Sequence, residues 1–173
     1  MRDLTDPAVG ILTVMPKKYE HINNEILEKV SQKNVTFDWI FYEEVRFWKA
    51  RYTNCTWNHC KFYRTLFSHK TVFTKCRFEQ CRFWGQHTYL GGPARYVDCE
   101  FIDCSFKNVQ MWQAEFIHCK FTGLFENLVF YGPEAPKGWV TVLKDVDLSA
   151  VQMKDTDFRT GIDLSTTILP IKA

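Results

Sequence analysis

The chain has 173 residues, with 22 Lys and Arg against 20 Asp and Glu and a formal net charge of +2. That length leads us to expect one domain with a sizeable core. The near-neutral balance argues against a general nucleic-acid binder and against a strongly acidic mimic of DNA, and no run reaches the ~18 apolar residues that a membrane helix needs.

Residues 1–33 read as an N-terminal cap. The apolar run Ala8–Met15 is short and follows Asp3 and Asp6 rather than a basic segment. It makes a poor signal peptide, so a cytoplasmic location is the default expectation. Ile22, Ile26, Leu27 and Val30 recur at helical spacing, which predicts an amphipathic helix around 18–32. Such a helix suits the end of a stack of strands, whose bare edge invites aggregation. Docking on a partner is the alternative use of the same face.

From Val35 onward a different period takes over. In Thr71–Phe83, aromatics fall at Phe73, Phe78 and Phe83, and two positions before each stands Thr71, Cys76 or Cys81. The same beat of five carries large apolar centres from Phe37 to Phe67, from Tyr96 to Phe121, and from Leu148 to Phe158, with slipped centres at Leu164 and Leu169. The position two before each centre is always small, β-branched or Cys. A step of five spirals around a helix and alternates faces on a straight strand. It keeps every centre inside only if each short strand piece ends in a corner.

This pattern resembles the pentapeptide-repeat family, whose unit is a small residue, a polar one, a central Leu or Phe and two variable residues. The likeness covers Val35 to Leu169. It implies an all-β fold, a right-handed quadrilateral β-helix of about five coils with four units per coil. The polar slot departs from the family, since only Asp147, Asp157 and Asp163 fit it, and aromatic centres outnumber Leu.

Two stretches interrupt the beat. Residues 84–95, with Gly91-Gly92-Pro93, and residues 122–142, with two prolines between Gly132 and Gly138, are expected to project as loops from residues 34–173. Trp139 is placed to anchor the second. Past Leu169 no helix is apparent, so two C-terminal coils are expected to pair into a dimer unless Pro170 keeps the chain monomeric.

All seven cysteines occupy the inward small slot, where Cys acts as a small hydrophobe. Their spacing matches no zinc motif. No glycine-rich phosphate loop is present, no histidine is patterned beside an activated thiol, and a close-packed coil leaves no room for substrate. Neither a catalytic set, a metal nor a cofactor is expected.

The informative residues are outward ones. With four units to a coil, Tyr63 and Trp84 lie one coil apart on one face, and Lys61 and Arg82 stand beside them. If the break at 84–95 replaces a corner, Trp112 continues the stack. Lys61, Tyr63, Arg82, Trp84 and Trp112 are the candidate partner-binding residues, since exposed aromatics beside Arg typify contact hot spots. An aromatic ladder packed on its own neighbours would show the same residues. The resemblance implies a protective module that shields a target or neutralises a toxin by direct contact with another protein. Topoisomerase protection by DNA mimicry and a purely structural role are the alternatives. Mimicry suits the chain poorly, because Lys and Arg outnumber Asp and Glu between 34 and 131.

Overall fold

A computed structural model of the chain describes residues 18–171. They form an all-β parallel solenoid, and the about five coils of the regular beat are present. The capping helix expected around 18–32 is not formed. Strands at Glu20–Asn23, Ile26–Glu28 and Ser31–Lys33 take its place. Ile22 and Leu27 extend the beat backward from Phe37 through Gln32, and it was the polar Gln32 that concealed the register. Ile22, Leu27 and Val30 suit a helical face and the coil equally. The backbone decides for the coil, with left-handed residues at Asn24 (φ 55°) and Lys29 (φ 54°), which no right-handed helix accommodates. The run Ala8–Met15 lies outside the described residues.

The corner has one recurring cause. Two residues after a centre the backbone enters the left-handed region, as at Trp39 (φ 56°), Asn54 (φ 52°), Lys75 (φ 53°), Gln80 (φ 51°) and Asp98 (φ 54°). Three extended residues, one left-handed residue and one small inward residue make the unit of five. Between Phe121 and Phe125 the step is only four, so one residue must serve as both corner and inward slot. It is Gly123 at φ 113°, where a Cβ would stand 2.1 Å from the Cys104 carbonyl oxygen.

Four parallel faces result, each pairing a strand with the equivalent strand one coil away. The first stacks Glu20–Asn23, Ile40–Glu43, Lys61–Tyr63 and Arg82–Trp84, then residues 105–107, 124–126 and 152–154. The second stacks Ile26–Glu28, Arg46–Trp48 and Leu66–Ser68, and continues through single bridges at Tyr89 and Gln110. The third runs from Ser31–Lys33 to Val142–Lys144. The fourth runs from Thr36–Asp38 through Thr56–Asn58 and Arg77–Glu79 to the long strands that begin at Glu100, Lys120 and Asp147.

Inside, the centres form aromatic ladders. On the fourth face Trp57, Phe78, Phe101 and Phe121 stack at 4.7, 4.7 and 4.5 Å with planes within 7°. Those spacings follow the distance between paired strands. Neighbouring faces meet edge to face, as Phe73 and Phe78 do at 5.7 Å and 64°, an arrangement that the ring quadrupoles favour.

The small column does more than fill space. Cys60 donates to the Phe37 carbonyl at 3.3 Å, Cys81 to that of Trp57 at 3.3 Å and Cys99 to that of Phe73 at 3.4 Å, in each case the centre one coil away. Thr65 and Thr71 make the same bond to Tyr42 and Phe47 at 3.1 and 2.9 Å. Cys and Thr in this slot thus add a donor to a carbonyl one coil away, where Val45, Ala50 and Ala114 only fill the space.

Both breaks are narrower than the sequence suggests. Thr88, Tyr89 and Leu90 form a complete unit within 84–95, with Thr88 and Leu90 fully buried. Within 122–142 the strand Lys120–Tyr131 supplies centres at Phe125 and Phe130, and Val142–Lys144 supplies Leu143. The projecting part is 132–139, closed by a 3-10 turn at Lys137–Trp139.

Candidate functional site

The outward residues of the first face form two columns. Lys61, Arg82 and Ser105 are in register in one, and Tyr63, Trp84 and Lys107 in the other. The pairing inferred for Lys61 with Arg82 and Tyr63 with Trp84 is therefore the observed one. Trp84 lies 5.3 Å from the Tyr63 ring and 5.8 Å from Phe41, near parallel to both. Phe41 is a member the sequence reading missed. Its signal was an aromatic at the outward position just before a centre.

Charge is unevenly spent here. Glu126 accepts from Lys107 at 3.1 Å and from Lys154 at 3.3 Å, and Lys107 first, then Lys154, holds its carboxyl below the ordinary range. Glu43 pairs with His21 at 2.8 Å. Lys61 sits 4.0 Å over the Tyr19 ring. Arg82 is exposed and makes no ion pair among the described residues. With Lys61, Trp84, Ser105 and Lys107 it lines a cleft of about 350 Å³. The result is a basic recess beside an aromatic ridge.

Trp112 is not in this stack. The unit Thr88–Leu90 carries the chain across the second face before it reaches the third, so every later unit advances by one face. The position after Trp84 falls to Lys107, and Trp112 stands on the second face beside Tyr89. There it belongs to another aromatic group. It stacks on Trp139 at 4.9 Å and 1°, Tyr131 meets Trp139 edge-on at 5.2 Å, and Tyr89 meets Trp112 at 5.9 Å. Trp139 thus anchors the 132–139 loop to the rod.

Burial pushes the Cys55 and Cys81 thiols up, whereas hydrogen bonding to Cys99 draws those of Cys76 and Cys119 down. Four of the five histidines, His21, His59, His69 and His118, have partners within the rod. His59 and His69 stack on Trp39 and Trp48 at 4.4 and 3.5 Å, and His118 bridges Asp98 and Asp145 at 3.2 Å each. Among the described residues no group of three or more His, Cys, Asp and Glu is placed to hold a metal, and no helix is long and apolar enough to cross a membrane.

No family model matches the chain, and no curated protein matches it. Among solved structures, QnrB1, a plasmid-mediated fluoroquinolone resistance protein, is 13% identical over 88% of this chain and 90% of that one, with a TM-score of 0.42. Rfr23 of the cyanobacterium Cyanothece is 10% identical over 86% and 90%, at 0.22. HetL of the cyanobacterium Nostoc, involved in heterocyst differentiation regulation, is 10% identical over 88% and 92%, at 0.18. The structural neighbours are pentapeptide repeat proteins, and this chain is a β-solenoid on a unit of the same length. Likenesses of this size carry no inference about activity.

Proposed function

We propose that this chain is a non-enzymatic protein-binding module of the cytoplasm that protects by direct contact, shielding a target or neutralising a toxin. The observation that carries this reading is the first face, where the Phe41–Tyr63–Trp84 ridge borders Arg82, a cation with no acidic partner among the described residues. Tryptophan and arginine concentrate binding energy where they are packed and desolvated by a partner. Lys61 and Arg82 select a partner surface that is acidic around an apolar notch. The rigid ladder behind the face holds these side chains in place before contact, which lowers the ordering cost of binding.

DNA mimicry is the poorer reading. Glu44 is paired with Arg64, Glu100 with Arg77, Glu115 with Arg95, and Asp98 and Asp145 with His118. A polyanion mimic needs a continuous acidic face instead.

The test is affinity capture from the native host with the wild type and with a Tyr63→Ser, Arg82→Ser, Trp84→Ser variant. The three positions are outward, so the variant should keep its circular dichroism spectrum and melting temperature while it loses the partner. A partner retained by the folded variant discards this face. A parallel supercoiling assay with a topoisomerase would separate protein binding from DNA mimicry.

A further inference from the structure

The aromatic group on the second face borders a cleft of about 470 Å³, within the ~300–1,000 Å³ typical of small-molecule sites. Its lining is unlike that of the basic recess. Tyr89, Trp112 and Tyr131 supply the aromatic walls, and Gln86, Asn108, Gln110 and Asn127 supply four side-chain amides. His87 also lines it, and no Lys, Arg, Asp or Glu does.

The amides are only partly spent. Asn127 donates its amide nitrogen to the Asn108 oxygen. That leaves the Asn127 oxygen as an acceptor and the Asn108 nitrogen as a donor, side by side on adjacent coils. The Gln86 and Gln110 side chains make no hydrogen bond among the described residues. The cleft therefore offers amide donors and acceptors together beside three aromatic rings, one face of Trp112 being covered by Trp139.

We propose that this cleft binds a neutral oligosaccharide. Hydroxyl groups on adjacent carbons both give and take hydrogen bonds, as paired amides do. The C–H bonds of a sugar ring carry partial positive charge and suit an aromatic face. A nucleic acid would call for several Lys or Arg side chains, and the lining has none. A proline-rich segment would find the aromatics but offers chiefly acceptors, which leaves the amide oxygens unsatisfied. The proposal stands independently of the first-face reading, since Trp84 and Arg82 take no part in it.

The experiment uses the full chain labelled with 5-fluorotryptophan, with the Trp112 and Trp139 fluorine resonances assigned by single Trp→Phe variants. Cello-, malto-, manno- and chito-oligosaccharides are titrated in turn, with a heparin tetrasaccharide and a proline-rich peptide as controls. The expected result is a saturable shift of Trp112 and Trp139 with at least one neutral series, while Trp84 does not move. Gln110→Ala removes one outward amide and should weaken that binding about three- to tenfold, with an unchanged melting temperature. Neutral sugars that leave Trp112 unmoved to the limit of solubility overturn the proposal. So does a shift produced by the peptide or by heparin alone.

Discussion

Replacing Phe78 by Ala probes the ladder at its middle. The ring is fully buried, sandwiched at 4.7 Å by Trp57 and at 4.7 Å by Phe101, with Phe73 edge-on at 5.7 Å and Phe83 tilted at 5.9 Å. Truncating a buried Phe to Ala costs about 3–5 kcal/mol, the upper end applying where the cavity cannot collapse. Collapse is blocked here, because the backbone ladders through Arg77–Glu79 fix the coil spacing on both sides. We therefore expect a loss of about 5 kcal/mol, out of a total that for a typical domain is about 5–15. Phe158 is the control. It is half-buried and among the described residues stacks on one ring, Phe130 at 5.2 Å, so Phe158→Ala should cost about 1–2 kcal/mol. Urea unfolding followed by far-ultraviolet circular dichroism measures both, and a 5 kcal/mol loss lowers the midpoint by about 2 M or more. If Phe78→Ala costs no more than Phe158→Ala, the stacked rings are not what stabilises the rod.

Cys99→Thr should be more stable than its isostere Cys99→Val by about 1 kcal/mol in thermal melts, because only Thr can replace the bond to the Phe73 carbonyl. Equal stability would show that the slot selects for size alone. At the Gln80 corner, φ 51°, Gln80→Gly should be neutral or stabilising, whereas Gln80→Val should cost about 1–2 kcal/mol by forcing a β-branched residue into the left-handed region. Denaturant midpoints of the two variants decide this, and a Val variant as stable as the Gly one contradicts the corner assignment. Lys107, then Lys154, holds the Glu126 carboxyl below its ordinary value, so its bridges are complete at neutral pH and are lost as pH falls through that lowered value. A carboxyl titration by nuclear magnetic resonance should place Glu126 below a free glutamate, and Lys107→Met should return it part of the way.

The parts of the molecule legible from sequence are those where the step of five is unbroken. Tyr63 could be matched to Trp84, and Lys61 to Arg82, because no slipped unit disturbs the face between them beyond the one residue inserted near Lys70. Trp112 could not be placed, because the unit Thr88–Leu90 sits at irregular distances from its neighbours, and a Leu within a Gly-Pro-rich stretch resembles loop. At the N-terminus the polar Gln32 and Glu20 occupy positions that hold apolar or small residues elsewhere, and both are exposed. The remaining evidence there, a few apolar residues three and four apart, fits a helix equally well. Phe41 occupies the same outward position as Lys61 and Arg82, in register with Lys61, and was legible by the same rule. The corner rule was hidden for another reason. Left-handed backbone is usually announced by Gly or Asn, yet here Trp, Glu, Lys, His, Gln and Asp adopt it.

The Thr88–Leu90 unit sets the angular phase of everything downstream. In a square coil each added or removed unit turns all later side chains by a quarter revolution about the rod axis while leaving their neighbours along the chain intact. The two aromatic groups, Trp84 with Tyr63 and Trp112 with Trp139, owe their separate bearings to that single increment. Excising it would swing Trp112 into line above Trp84 and merge two surfaces into one. A solenoid of this kind can thus redraw its exterior by gaining or losing one unit, without substituting any of the outward residues that remain.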